Sequence, residues 1–123
     1  MFPIWEVASQ FGNNDAWELY GGMRILSFNT LRDFWIKHPE TEASLRHWYQ
    51  IASGASWTTP SEVVLSFAKA KTVSADRVRF EVAGGNFRMI VAFHFKLQFA
   101  FVKFLGTHKE YDAIEDVTTV SRF

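Results

Sequence analysis

The stretch Arg77-Val78-Arg79-Phe80-Glu81-Val82 decides the fold, because charged and apolar side chains alternate along it. A period of two residues is typical of a β-strand that buries one face. A tight turn is expected at Gly84-Gly85-Asn86, followed by a strand at residues 87–95. After another short turn at residues 96–98, the apolar residues 99–105 form a third predicted strand. Such short connections imply an antiparallel meander.

The second predicted strand divides its side chains between two faces of the sheet. One face carries Phe87, Met89, Val91, Phe93 and Phe95, and the other carries Arg88, Ile90, Ala92 and His94. The phenylalanines alternate as core residues do, so we interpret them as core rather than as a surface that stacks on bases. The opposite face is expected to be free to present Arg79, Arg88 and His94.

Three helices are predicted upstream of these strands. The first has Thr30 as N-cap with Asp33 three residues on, and ends at His38-Pro39, because the residue before proline disfavours helix. Pro39 opens the second, whose apolar stripe ends near Gly54. The third begins at Thr59-Pro60-Ser61-Glu62. The stripe of the second helix consists of Leu45, Trp48, Tyr49 and Ala52.

Helices followed by strands predict an α+β fold, with the N-terminal helices packed on one face of a mainly antiparallel sheet and a short helix at the C-terminal end. Residues 24–28 form a further strand-like run. We assign residues 23–123 to one domain and residues 1–22 to an N-terminal extension. The extension is either a real appendage or the result of a mis-assigned start codon, in which case translation begins at Met23.

Composition excludes several classes of protein. The 123 residues are 48% hydrophobic, which suits one globular domain and argues against disorder. There is no cysteine, so disulfides, thiolate catalysis and Cys-ligated zinc are excluded. The sequence has neither a long apolar run nor the pattern of a secretory signal, and we expect a cytoplasmic protein without membrane contact.

The formal net charge of zero conceals an uneven distribution. Residues 1–22 carry three acidic side chains and no Lys or Arg. Residues 69–109 carry eight basic side chains against two acidic ones, a net charge of +6. Such a block can form a basic face on a neutral molecule, so neutrality does not exclude an RNA partner. An ordinary solvated surface is the alternative.

The motif Gly106-Thr107-His108-Lys109-Glu110-Tyr111-Asp112 is the strongest candidate for chemistry. Thr107 and Glu110 form a capping box, which predicts a helix that begins at His108. Free backbone N–H groups in the first turn would attract a phosphate, and histidine would transfer protons near neutral pH. The alternatives are a common cap beside a surface histidine, and an Arg88 that merely pairs with Glu81. The four histidines lack the spacing of metal ligands.

The segments 77–91 and 104–112, in this order, resemble the HigB family of RelE-like toxins of type II toxin–antitoxin systems. Similar family segments correspond to residues 31–35 and 57–60, and the resemblance runs from Met23 to about Asp116. Two positions differ from the family pattern. Glu81 stands where the family often has Asn, which puts a negative charge near the RNA face, and Phe87 stands where it often has Tyr.

The resemblance implies an endoribonuclease that cleaves translated mRNA on the ribosome, without a metal or other cofactor. It also implies a HigA-like antitoxin with a helix-turn-helix domain as partner. We expect Arg88 to hold the scissile phosphate and His108 to act as general acid or base. Tyr111 is either an alternative proton acceptor or an orienting group. The expected RNA-binding residues are Arg79, Asn86, Lys103 and Lys109.

Two alternative functions stay open at this point. The first is a non-catalytic module that binds RNA or the ribosome, with an affinity that falls steeply with salt. The second is a protein-interaction partner that uses the aromatic residues of the N-terminal extension.

Overall fold

The computed structural model describes residues 22–123, in which a block of helices is followed by a block of strands. All of the predicted extension except Gly22 lies outside the described residues. Two 3₁₀ turns, Pro39–Thr41 and Ala83–Gly85, connect regular elements. These elements are β1 (Arg24–Ile25), α1 (Phe28–Lys37), α2 (Glu42–Gly54), α3 (Pro60–Leu65), β2 (Lys71–Thr72), β3 (Arg77–Val82), β4 (Phe87–His94), β5 (Phe99–Thr107) and α4 (His108–Asp112).

The five strands form one sheet in the order β1-β5-β4-β3-β2. β2, β3, β4 and β5 pair antiparallel with their neighbours in sequence, which confirms the predicted meander. β1 pairs parallel with β5. The α+β fold with a short C-terminal helix is therefore confirmed.

The alternation in β3 and β4 was interpreted correctly, because cross-strand partners lie on the predicted faces. Phe80 pairs with Met89 on one face, and Glu81 pairs with Arg88 on the other. Arg88 in turn pairs with Gly106 of β5. β5 continues two residues beyond the predicted end and runs directly into α4. The register thus brings β3, β4 and the start of α4 to one end of the sheet.

The helices cover the face that carries Phe80. The Trp48 ring of α2 lies 5.5 Å from the Phe80 ring, and Phe67, after α3, lies 5.0 Å from it on another side. Aromatic pairs of this kind contribute about 0.5–1.5 kcal/mol beyond the area they bury. The predicted stripe of α2 is confirmed, since Leu45, Trp48, Tyr49 and Ala52 are all buried.

The helix boundaries show where local patterns succeed and fail. Thr59 caps α3, as predicted, by accepting a hydrogen bond from the backbone N–H of Glu62. The prediction for Thr30 is wrong, because it lies inside α1 and the N-cap is Ser27. The Ser27 hydroxyl accepts from the backbone N–H of Val102 in β5. The pairing of β1 with β5 therefore starts α1 earlier than its own sequence indicates.

Three further boundaries differ from expectation. The strand-like run at residues 24–28 is a strand only at Arg24–Ile25, since Phe28 already belongs to α1. Pro39 opens a 3₁₀ turn rather than α2 itself, and Ala55 rather than Gly54 is the C-cap of α2. The predicted stop of the first helix at His38 is confirmed.

The face of the sheet opposite the helices is not free, contrary to expectation. A C-terminal segment, residues 113–123, contacts it. The Arg77 Nη1 donates to the carbonyls of Val117 at 3.1 Å and Val120 at 2.7 Å. Arg79 is also buried, whereas His94 is exposed. The carbonyls of the C-terminal segment thus provide the hydrogen-bond acceptors that the buried Arg77 guanidinium needs.

Within residues 22–123, no helix is long and apolar enough to span a bilayer.

Candidate functional site

The candidate site lies where β5 passes into α4, beside the turn that joins β3 to β4. Thr107 pairs with Phe87, and Gly106 pairs with Arg88. A Cβ at Gly106 would lie 2.9 Å from Phe104 Cζ and 3.0 Å from Glu110 Oε1. A larger residue at this position would therefore displace the Phe104 ring and the Glu110 carboxylate that binds the start of α4.

A capping box fixes the start of α4, as the sequence predicts. The Glu110 backbone N–H donates to Thr107 Oγ1 at 3.1 Å, and the Thr107 N–H donates to Glu110 Oε1 at 2.9 Å. The His108 N–H donates to the Asn86 carbonyl at 3.0 Å. The expected set of free N–H groups is therefore wrong for His108 and Glu110. The first turn of α4 therefore offers fewer backbone donors to a phosphate than the sequence predicts, and side chains have to supply most of the binding.

The Glu110 carboxylate is held in its charged form. The Thr107 backbone N–H, and then the Thr107 side chain, lower the pKa of Glu110, and the nearby charges of Arg122 and His38 act in the same direction. The Arg122 Nη1 lies 3.9 Å from Glu110 Oε2. The charged carboxylate stabilises the helix end that presents His108.

Arg88 projects from β4 into the site and retains hydrogen-bonding capacity. Its Cζ lies 4.9 Å from the centre of the Tyr111 ring of α4, a cation–π contact. Its Nη2 lies 3.9 Å from Glu81 Oε1, which is too long for a hydrogen bond. The buried Nε has no hydrogen-bond partner within the described residues. The predicted pairing of Arg88 with Glu81 is thus confirmed only as a loose ion pair.

The turn between β3 and β4 holds Glu81 beside Arg88. Gly84 and Gly85 have φ values of 70° and 92°, a conformation that favours glycine. A Cβ at Gly85 would lie 3.5 Å from the Glu81 carboxylate. The turn therefore packs against this carboxylate, and it exposes the Asn86 side chain beside α4.

His108 and Tyr111 have different environments in α4. The His108 Nδ1 lies 3.0 Å from Asp112 Oδ2, and both side chains are about half exposed. The Tyr111 ring lies 6.1 Å from the Phe104 ring as well as under Arg88. The sequence reasoning missed Asp112 as a partner of His108, although their i, i+4 spacing indicates one. It also missed Arg122, whose guanidinium lies 4.9 Å over the Phe104 ring.

The predicted RNA-binding residues do not form one group. Asn86 and Lys109 are exposed next to the site. Lys103 instead lies with its Nζ 5.5 Å from the centre of the Phe101 ring. Arg79 is only 8% exposed, and its Nη2 donates to the Lys69 carbonyl. No group of three or more metal-ligating side chains is present in the part of the chain that the structure describes.

Residues 41–114 match the family model HigB_toxin, described as the RelE-like toxic component of a toxin–antitoxin system. The match covers more than half of the chain and includes Arg88 and all of α4, so the chain belongs to the HigB toxin family. The resemblance inferred from the sequence is confirmed, although the match begins after residues 31–35. A toxin of this kind implies an antitoxin partner. A comparison with curated proteins finds no match.

Proposed function

We propose that the protein is an endoribonuclease that cleaves translated mRNA on the ribosome, by attack of the RNA 2′-OH and without a metal. One observation carries this proposal. The Arg88 Nη2 has only a loose ion pair with Glu81, at 3.9 Å, and the guanidinium contacts the same short helix that presents His108. Membership of a RelE-like toxin family supports the same activity.

Arg88 is the proposed phosphate-binding group. Attack of the 2′-OH adds negative charge to the scissile phosphate, and a guanidinium stabilises such charge through charge-assisted hydrogen bonds. Its contact with the Tyr111 ring restricts the guanidinium without using an N–H group. Tyr111 therefore serves to position Arg88 in the proposed mechanism.

His108 is the proposed proton-transfer group. The 2′-OH must lose a proton and the 5′-oxygen must gain one, which a single imidazole at this site can assist in one direction. Asp112 orients the imidazole, since its carboxylate Oδ2 lies 3.0 Å from Nδ1. Nε2 is then the nitrogen that faces the RNA. The charged form of Glu110 supports this arrangement indirectly, because it holds the first turn of α4.

Charge distribution supports a ribosome-presented substrate rather than naked RNA. The protein is neutral overall, and part of its basic stretch is not available for RNA, since Arg77 and Arg79 are buried. Asn86 and Lys109 remain exposed beside Arg88. Each cation that is buried removes a possible phosphate contact and lowers the nonspecific affinity. Binding to a ribosome that already holds the message removes the need for such affinity.

The proposed antitoxin is HigA-like, with a helix-turn-helix domain.

The test is expression without antitoxin, with growth and the 5′ ends of cellular messages as readouts. We expect His108→Ala to lower cleavage by about 10²–10⁴-fold and Arg88→Ala by about 10²–10³-fold. The matched controls are His47→Ala and Arg32→Ala, which change exposed residues of α2 and α1. Full cleavage by folded His108→Ala and Arg88→Ala chains would contradict the proposal.

The alternative of a non-catalytic RNA- or ribosome-binding module is favoured by one observation. The Glu81 carboxylate lies 3.9 Å from the Arg88 guanidinium and partly neutralises it. This function predicts growth arrest without new message ends. In that case, His108→Ala would leave growth arrest unchanged, whereas Arg88→Ala would weaken binding to ribosomes.

A further inference from the structure

A groove lies on the side of the molecule next to β3, apart from the face that holds Arg88. It has a volume of about 240 Å³ and is bounded by Trp48 of α2, by Phe67 and Ala68 after α3, and by Phe80 and Glu81 of β3. Three aromatic side chains and several polar ones, among them Ser44, His47 and Ser66, line it, and its size suits one or two side chains of a bound chain. Neither Arg88 nor His108 lines it.

The outer edge of β3 is open along this groove. The Phe93 N–H donates to the Asp76 carbonyl, so the backbone groups of residue 76 point toward β4. In an antiparallel pair the direction alternates, so the backbone groups of residues 78, 80 and 82 also point toward β4. Arg77 instead accepts from Val73 on the other side. By the same alternation, the N–H and C=O of Glu81 point away from β4. β2 ends its pairing at Arg79 and does not reach them.

The backbone before β2 explains why this edge stays open. Lys69 has φ 62°, a left-handed conformation that turns the chain away from the line of β2. The next outward-pointing group after Glu81 is the Ala83 N–H, which donates to the Ser44 hydroxyl at 3.0 Å. Within residues 22–123, the pair of backbone groups on Glu81 is therefore left for a partner from outside.

A second, independent feature of the groove is a buried donor on one of its lining residues. Trp48 is only 4% exposed, and its buried Nε1 has no hydrogen-bond acceptor in the described part of the chain. A buried donor without an acceptor costs about 1–3 kcal/mol. A backbone carbonyl of an incoming chain is the kind of acceptor that could remove this cost.

We propose that an extended segment of the antitoxin adds to β3 at this edge, with its backbone hydrogen-bonded to Glu81 and an apolar side chain between Trp48 and Phe67. This is β-strand addition, in which backbone bonds give affinity and a pocket gives specificity. An acidic residue beside the apolar one would complement the exposed Lys69 and Lys71, which follow the lining residue Ala68 in sequence. The proposal rests on the proposed function only in requiring an antitoxin.

A strand that binds at Glu81 would also affect the candidate site, because Glu81 lies next to Arg88. The backbone of Glu81 forms the open edge, and its carboxylate lies 3.9 Å from Arg88. A strand bonded to Glu81 therefore fixes the position of the acidic group that neutralises the phosphate-binding arginine. The antitoxin would then restrain Arg88 without covering α4.

The first experiment uses the full chain co-expressed with the product of its neighbouring gene, which serves as the probe. Ala68→Glu places bulk and negative charge in the groove, and Ala75→Glu makes the same change in an exposed turn elsewhere. We expect Ala68→Glu to raise the dissociation constant about tenfold or more, a loss of about 1.4 kcal/mol, with Ala75→Glu unchanged. Equal affinity of the two variants, or no complex with the unaltered chain, would overturn the proposal. Cleavage by the free variants is measured separately, so failure of the endoribonuclease proposal remains distinguishable.

The second experiment measures amide exchange at Glu81 by NMR, with and without the probe. We expect fast exchange in the free chain and strong protection in the complex. Protection in the free chain that is lost on deletion of residues 1–21 would show that the protein's own N-terminal residues occupy the groove. Protection that rises with toxin concentration would show a second copy there. Either outcome would overturn the proposal.

Discussion

The Arg88 guanidinium lies 4.9 Å above the Tyr111 ring, and this contact joins the middle of the sheet to the short C-terminal helix. The two residues are 23 positions apart in sequence, and β5 brings them together. This contact, rather than a deep cavity, holds the proposed phosphate-binding group, Arg88, against the helix that carries the proposed proton-transfer group, His108.

This contact predicts different effects for two changes at Tyr111. Tyr111→Phe keeps the ring under Arg88, so cleavage should stay near that of the unaltered protein. Tyr111→Ala removes the ring, and we expect cleavage to fall and the free energy of unfolding to drop by about 1 kcal/mol. Message cleavage in cell-free translation, together with urea denaturation, measures both effects. An equal loss of cleavage in the two variants would assign proton transfer to the hydroxyl instead.

Glu81 is expected to reduce the activity of Arg88. Glu81→Gln removes the negative charge beside the guanidinium and should raise cleavage about two- to fivefold, because loose ion pairs contribute about 0.2–1 kcal/mol. The matched control is Glu42→Gln, which removes the ion pair of Glu42 with Arg46 on α2. Initial rates of message cleavage give the comparison. Lower cleavage by Glu81→Gln would indicate that the carboxylate takes part in the reaction.

The capping box of α4 predicts a pH-dependent contribution to stability. The Thr107 N–H lowers the pKa of Glu110 in the folded protein, so the charged carboxylate stabilises the fold above its ordinary pKa of 4.5. That contribution is lost as the pH falls through the lowered pKa. At pH 7, Glu110→Gln should reduce the free energy of unfolding by about 0.3–1 kcal/mol, because it removes the carboxylate charge, and the difference should narrow below pH 4.5.

Denaturant unfolding from pH 7 to pH 3 tests this prediction. Asp33→Asn is the matched control, because Asp33 stands three residues after Thr30 in a similar sequence pattern but lies inside α1. It should show no stability loss that depends on pH. A constant difference between Glu110→Gln and the unaltered protein over the whole range would argue against the role of charged Glu110.

Arg77 is predicted to be the main attachment of the C-terminal segment. Arg77→Leu removes both hydrogen bonds to the carbonyls of Val117 and Val120, and hydrogen bonds to charged groups contribute about 1.5–3 kcal/mol each. We expect faster amide exchange within residues 113–123 and a loss of stability of about 2–3 kcal/mol. Arg32→Leu, at an exposed position of α1, is the control. Unchanged exchange in Arg77→Leu would show that other contacts hold the segment.

The sheet and α4 could be predicted from the sequence because local patterns specify them. Alternation identified the two faces of β3 and β4, and Thr107 with Glu110 identified the start of α4. In both cases the partner that fixes the structure lies nearby in the sequence. The same logic failed at Thr30, because the Ser27 hydroxyl bonds to β5, 75 residues away.

Other parts of the site depend on distant contacts that a single sequence does not reveal. An arginine in an alternating strand looks exposed, yet Arg77 binds carbonyls 40 and 43 positions later. Arg79 is buried with it, and its expected RNA-binding role stays a prediction. The distance between Arg88 and Glu81 depends on the geometry of the turn at residues 84–86. The types of residue in that turn do not specify this geometry.

The path of the C-terminal segment has a consequence for biosynthesis. The carbonyls that bind Arg77 belong to residues made 40 and 43 codons after it. While those residues are still inside the ribosomal exit tunnel, the Arg77 guanidinium has no partner and this face of the sheet cannot close. The order of translation therefore delays closure of this face until residues 117–120 have emerged, which is later than the synthesis of Arg88 and His108.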